Sequence, residues 1–179
     1  EHREGLICKA AGGTLFLDEI GDLSPASQKI LLRLLQEKEY YRLGSDLLYQ
    51  SNARVVAASN RDFKEMVAAG TFRADLFHRL NTHQLHIPSL RERKGDILLL
   101  AEHFAAESAK ILSKEKPELS IELKLALSEY NFPGNVRELA NMMSNAVASS
   151  RKMELSVHDF GCLELSKPTR NKGVVRVST

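Results

Sequence analysis

The chain has 179 residues, 43% hydrophobic and 27% charged, with a formal net charge of +2 at pH 7. This is ordinary globular composition: it excludes a disordered polyelectrolyte, leaves room for one domain with a smaller satellite, and gives no reason to expect a polyanion partner over the whole surface. Cys8 and Cys162 stand far apart without CxxC spacing, which points to neither a disulfide framework nor a zinc site and fits a reducing cytosol. No apolar run reaches the roughly 18 residues of a membrane span, and EHREGL lacks the layout of a signal peptide, so a soluble, cytoplasmic protein with no membrane partner is expected.

In chain order, Thr14 to Leu17 is a short apolar run between Gly12-Gly13 and the acids Asp18 and Glu19, which suits a strand buried on both faces of a parallel sheet. Ser24-Pro25 reads as an N-cap and first helical residue, opening a helix to about Glu37 with Ile30, Leu31, Leu34 and Leu35 on its apolar face. After a turn near Gly44, Arg54 to Ser59 reads as a second buried strand ending at Asn60. A helix from about Asp62 stops at Gly70, a short helical piece, TFRADLFHRL, follows, and Gln84 to Ile87 is a candidate third strand. Beyond Pro88 the pattern is helical only. Asp96 can cap a helix to about Leu112, Ser120 one to about Tyr130, and Asn135 with Glu138 makes a capping-box-like start for a third to about Ser149. The expected organisation is therefore residues 1–90 as an α/β part, 91–165 as an all-α lid and 166–179 as a basic linker or tail carrying Lys167, Arg170, Lys172 and Arg176.

If the two strands lie parallel, Asp18, Glu19 and Asn60 share the sheet edge at which open α/β folds bind ligands. Paired carboxylates there suit nucleotide hydrolysis: an aspartate for Mg²⁺, a hard cation, and a glutamate to orient or deprotonate water. The two acids can divide the work only if the chain turns just there, which Gly21 allows. The alternative is a helix N-terminus decorated with acids. Arg73 and Arg79, six apart on a helix, are some 120° apart around its axis and cannot easily share one phosphate. One suits a finger offered to a neighbouring subunit and the other a place near the same interface or a structural role, unless both are solvated helix charges. Arg137, in the first turn of the last helix, can attract an anion or pair with Glu138. Arg91 and Arg93 can touch nucleotide or brace the lid. His78, His83 and His86 do not share a face in a way that suits metal, and neither cysteine has local support as a nucleophile. The phosphate-cradling GxxxxGK[ST] does not occur in the sequence.

These segments together resemble the AAA+ domain of bacterial sigma-54-dependent transcription activators, the enhancer-binding proteins. GGTLFLDEIGDL resembles that family's Walker B segment, RVVAASN its sensor I strand, GTFRADLFHRLN its arginine-finger segment, IPSLRERKGDI its hinge and FPGNVRELAN its sensor II helix, in the family's order from about Gly5 to Phe160. The resemblance implies the fold class: α/β, a partial AAA+ parallel-sheet core followed by an all-α lid. It also implies a ring, usually a hexamer, that hydrolyses ATP with Mg²⁺ between subunits and remodels RNA polymerase bound to sigma-54. Carried over residue by residue, Asp18 would serve the metal, Glu19 the water, Asn60 the sensing of the γ phosphate, Arg73 and Arg79 the neighbour's ATP, and Arg137 the lid contact with nucleotide.

The family's P-loop, its sigma-contacting GAFTGA loop and its helix-turn-helix for enhancer DNA do not occur in these residues. The expectation is a fragment or truncated relative that does not hydrolyse ATP unaided. Ser59, Phe132, Cys8 and Thr82-His83 depart from the family's usual residues. The competing reading is a degenerate AAA+ module that only oligomerises, or a DNA binder using the helices flanking Pro133-Gly134. The second of those helices has only Arg137 and Arg151 near it as cations, few for a recognition helix.

Overall fold

The computed structural model describes residues 5–42 and 44–160. The expected basic tail and Cys162 lie outside them. The chain divides into two units, residues 1–85 and 86–179, each with its own core.

In the first unit a short helix α1 (Leu6–Lys9) leads to strand β1 (Thr14–Leu17), a 3-10 turn (Ile20–Asp22) and helix α2 (Pro25–Glu37). Ser24 caps α2 by accepting the Ser27 N–H at 3.2 Å, with Pro25 at the first helical position. Strands β2 (Glu39–Tyr41) and β3 (Leu48–Gln50) follow as an antiparallel hairpin, then β4 (Arg54–Ala57), α3 (Phe63–Ala68) and α4 (Ala74–Leu80). Asp62 caps α3 through the Lys64 N–H at 2.7 Å, and Gly70 takes φ +71° beyond its end.

β1 and β4 pair in parallel, Leu15 opposite Val55 and Leu17 opposite Ala57. Period-two alternation turns Leu15, Leu17 and Val55 inward onto Leu31, Leu34, Leu35, Phe72 and Leu76. The expectation of strands buried on both faces is corrected: Phe16 is 60% exposed and Val56 39%, because among the described residues no element covers that side of the pair. The expected turn near Gly44, which stands at φ +74°, joins two short strands that the sequence does not announce. Tyr40 and Tyr49 pair across the hairpin with ring centroids 5.8 Å apart, and the Arg42 guanidinium lies 4.2 Å over the Tyr49 ring while its Nη2 donates to Cys8 Sγ at 3.2 Å. The expected strand at Gln84 to Ile87 does not form. An isolated extended segment has no ladder to satisfy its backbone, and Leu85 is 94% exposed.

The second unit holds a 3-10 turn (Leu90–Glu92), α5 (Lys94–Ile111), β5 (Glu118–Leu119), α6 (Ile121–Glu129), α7 (Asn135–Ser149) and β6 (Glu154–Leu155). α5 presents Ile97, Ala101, Ala105 and Ala109 at four-residue intervals, small side chains that let α7 bring Leu139, Met143 and Ala146 close. Ser120 caps α6 through the Leu123 N–H at 3.2 Å. The lid is not all-α: β5 and β6 form a two-residue parallel pair that encloses α6 and α7 in sequence, with the Glu118 N–H reaching the Met153 carbonyl at 2.8 Å. Two expected caps move. α5 begins before Asp96, which instead faces Arg93 at 3.8 Å in the first turn. Asn135 does not cap α7. It stands at φ +54° and its Oδ1 accepts the Leu90 N–H at 2.9 Å, while Glu138 reaches back to the Gly134 N–H at 2.7 Å. At the far end of α7, Lys114 Nζ donates to the carbonyls of Val147, Ala148 and Ser150 at 2.8 to 3.0 Å, a cation set on the negative end of a helix.

Candidate functional site

The parallel register decides where the polar residues go. The Ala58 N–H donates to the Leu17 carbonyl at 2.8 Å and the Ile20 N–H to the Ala58 carbonyl at 3.1 Å, so the chain leaving β1 stays beside the chain leaving β4. Asp18, Glu19 and Asn60 therefore occupy one edge of the pair, and all three are solvent-exposed.

The turn that separates the two acids occurs at Glu19 itself, which adopts the left-handed conformation at φ 52° and ψ 39°. A non-glycine residue there is strained by about 1 kcal/mol or more. The Asp18 carboxylate accepts the Glu19 N–H at 3.0 Å, and Ile20, buried just beyond, anchors the turn. Gly21 has a different role from the one its sequence position suggests. It lies in the 3-10 turn against the other strand's exit, and a Cβ there would come within 2.9 Å of Ser59 Oγ and 3.2 Å of Arg61 Cδ. Asp22 and Arg61 close the same seam as an ion pair at 2.5 Å.

Helix α4 begins at Ala74, so Arg73 is its N-cap, in extended conformation, rather than a helical residue. Its Nε and Nη2 grip both oxygens of Asp75, at 2.9 and 2.5 Å. The Arg73 guanidinium holds the Asp75 carboxyl below the usual carboxylate value of 3.8, assisted by the Leu76 N–H, and Asp75 raises the arginine in return. A carboxylate so depressed keeps the pair intact above its ordinary value and loses it as the pH falls through the lower folded value. An NMR titration is expected to show the Arg73 Nε–H signal unchanged at pH 5 and lost only below the ordinary aspartate range, and absent throughout in Asp75→Asn. Arg79 does not point with Arg73. Its Nε and Nη2 donate to the Leu35 carbonyl at 3.4 and 3.2 Å, covering one of the open carbonyls at the end of α2.

In the second unit Arg137 is exposed in the first turn of α7. The pairing with Glu138 does not form, because that carboxylate takes the Gly134 N–H at 2.7 Å and the Tyr130 hydroxyl at 2.9 Å. Arg93 faces Asp96 and Arg91 is exposed.

Among the described residues no group of three or more His, Cys, Asp or Glu is placed to hold a metal ion. The edge does suit Mg²⁺ in its commoner mode, in which one carboxylate and several waters share the ion with substrate phosphates. Asp18 is exposed, and among the described residues its Oδ1 accepts the Glu19 N–H.

Two residues absent from the sequence reading belong to this neighbourhood. Asp75, two positions after Arg73, aligns its guanidinium. Gln28 is 1% exposed and bonds the segment after the acids to the segment before α4. The available signal was a carboxamide on the apolar stripe it shares with Leu31 and Leu35, where a polar side chain must find buried partners.

The Sigma-54 interaction domain model matches residues 1–86 and the AAA+ ATPase lid domain model residues 91–172. The anaerobic nitric oxide reductase transcription regulator NorR of Vibrio vulnificus is 46% identical over 174 residues, covering 94% of this chain and 34% of that protein. The alginate biosynthesis transcriptional regulatory protein AlgB of Pseudomonas syringae is 42% identical over 167 residues, 93% of this chain and 37% of that protein. The chain thus spans about a third of the length of these relatives. Among solved structures, NtrX from Brucella abortus in complex with ATP superposes with a TM-score of 0.83 at 27% identity, over 89% of this chain and 38% of that one. Read with the parallel pair and the helical second unit, these matches establish the family: the chain belongs to the sigma-54 interaction AAA+ domain of sigma-54-dependent transcriptional regulators.

Proposed function

We propose that this chain supplies the hydrolytic edge, the arginine segment and the lid of an ATP-driven activator that remodels sigma-54 RNA polymerase. The observation that carries the reading is the convergence of Asp18, Glu19 and Asn60 on one edge of a parallel strand pair, with Arg73 tethered to the same turn through Gln28. Bound magnesium nucleotide would supply an electrophilic phosphorus. Asp18 would hold the ion, Glu19 would orient the water that attacks the γ phosphorus and take its proton as the bond to the departing ADP oxygen breaks, and Asn60 would hydrogen-bond the terminal phosphate. Arg73, held by Asp75, is the charge offered to a neighbouring subunit's nucleotide, and Arg79, tied to α2, shapes that face from behind. Arg137 adds a cation from the lid, beside the positive end of α7. The ring is a hexamer in the cytoplasm of a bacterium, and the contacts with sigma-54 and enhancer DNA come from segments other than these residues. The nucleotide assignment is supported by the family match and by the ATP complex of the Brucella abortus NtrX structure. The phosphate cradle, GxxxxGK[ST], has to come from outside this sequence.

Subunit mixing tests the division between one subunit's water-activating acid and its neighbour's arginine. In a polypeptide carrying this chain together with a phosphate loop, Glu19→Gln and Arg73→Ala homo-oligomers are each expected to be inactive. Mixed, they place a wild-type Glu19 opposite a wild-type Arg73 at some interfaces, and phosphate release should recover to a substantial fraction of wild type. A mixture as inactive as its parents would overturn the assignment in trans.

A further inference from the structure

We infer that Gln28 is a positioning residue that fixes Arg73 to the turn carrying Asp18 and Glu19, so that both halves of the hydrolytic machinery in one subunit move together. This rests on the function proposed above, which it deepens. The Gln28 side chain is almost wholly buried, and all of its bonds go to backbone. Its Nε2 donates to the Leu23 carbonyl at 3.0 Å and the Thr71 carbonyl at 3.1 Å, and its Oε1 accepts the Arg73 N–H at 3.0 Å. Both amide protons are used, so the planar carboxamide has no second orientation that satisfies the same partners.

Each partner has a place in the proposed chemistry. The Leu23 N–H bonds the Ile20 carbonyl and the Asp22 N–H bonds the Glu19 carbonyl, so Leu23 is the far end of the 3-10 turn that starts at the strained Glu19. Thr71 and Arg73 bracket the approach to α4, and the Arg73 side chain is separately fixed by Asp75. Gln28 sets where the arginine's backbone stands, and Asp75 sets where its guanidinium points. A displacement of the carboxylate turn on nucleotide binding or loss is thereby carried through one buried amide to the arginine presented to the next subunit.

Hydrogen exchange in the 179-residue chain tests the tether, with Gly21→Ala as the perturbation of the turn, because its added Cβ meets Ser59 Oγ. Gln28→Met keeps length and volume and removes every bond. The Arg73 amide is expected to exchange about tenfold faster in that variant. Gly21→Ala should accelerate the Arg73 amide when Gln28 is present and add nothing when it is methionine, a non-additivity that two uncoupled segments do not produce. If Gln28→Met does not fold, Gln28→Glu, which keeps the acceptor facing Arg73 and removes both donors, should show a protected Arg73 amide no longer sensitive to Gly21→Ala. In the assembled ATPase, Gln28→Met is expected to lower kcat about tenfold with KM for ATP unchanged. An unchanged Arg73 amide, an equal effect of Gly21→Ala in both backgrounds, or a raised KM at constant kcat overturns the inference. A wild-type assembly without ATP turnover overturns the proposed function instead, and the exchange cycle still decides the tether.

Discussion

Glu19→Gln, in a polypeptide that also carries the phosphate loop, is expected to reduce ATP turnover by about 10²- to 10⁴-fold while nucleotide affinity changes only a few-fold. The amide keeps the size of the side chain and its hydrogen-bonding reach, but it cannot accept a proton from water. The left-handed turn at residue 19 and the hydrogen bond from its N–H to Asp18 depend on the backbone, so the substitution leaves the edge standing. Asp18→Asn should behave differently, with turnover and the magnesium dependence of binding both weakened, because the two acids do different work. Steady-state phosphate release beside a nucleotide titration separates the cases. Equal losses of binding in both variants would mean that the pair acts as one anionic site.

Phe132→Ala is expected to destabilise the second unit by about 3–5 kcal/mol, read as a fall in the denaturant midpoint at constant slope. The ring is 1% exposed within the lid core and meets Tyr130 edge-on, centroids 4.9 Å apart at 85°. The residue also sits at φ +45°, between α6 and the Pro133-Gly134 turn, where its carbonyl takes the Asn135 N–H at 2.8 Å. Alanine loses the ring and keeps the strain. Phe132→Gly loses the same ring but relieves the backbone, so it should be no less stable than alanine. Alanine clearly the more stable of the two would show that the positive φ is not a cost in the folded chain.

The parts of the fold that were legible were those fixed by local chemistry. Thr14 to Leu17 is an apolar run between glycines and acids, and Ser24-Pro25 is a cap with a preset φ, so β1 and α2 stand where the sequence puts them. The convergence of Asp18, Glu19 and Asn60 followed from two strands and the parallel connection rule. The rest depended on distant partners. Strands of three residues cannot show alternation, and the β2–β3 hairpin is held by Arg33 against Glu39 and Tyr41 and by Arg42 on Tyr49. Gln84 to Ile87 has strand composition, yet strand is a property of pairs, and no described segment pairs with it. Arg73 and Arg79 looked alike in sequence. Their difference arises because the helix starts after Arg73 and because the Leu35 carbonyl, far earlier in the chain, lies within reach of Arg79. Asn135 was read as a cap because of its type, but its tertiary partner, the Leu90 N–H, outcompetes the local one.

The left-handed backbone at Glu19 has a consequence for selection. Glycine, or asparagine with its tolerance for that region, would make the same turn at lower energy, so the position is held away from its most stable occupant. A library screened only for survival of heating should enrich those two residues at position 19 and yield hardier proteins with no proton acceptor beside Asp18. Robustness and turnover are thus set against each other by a single dihedral angle.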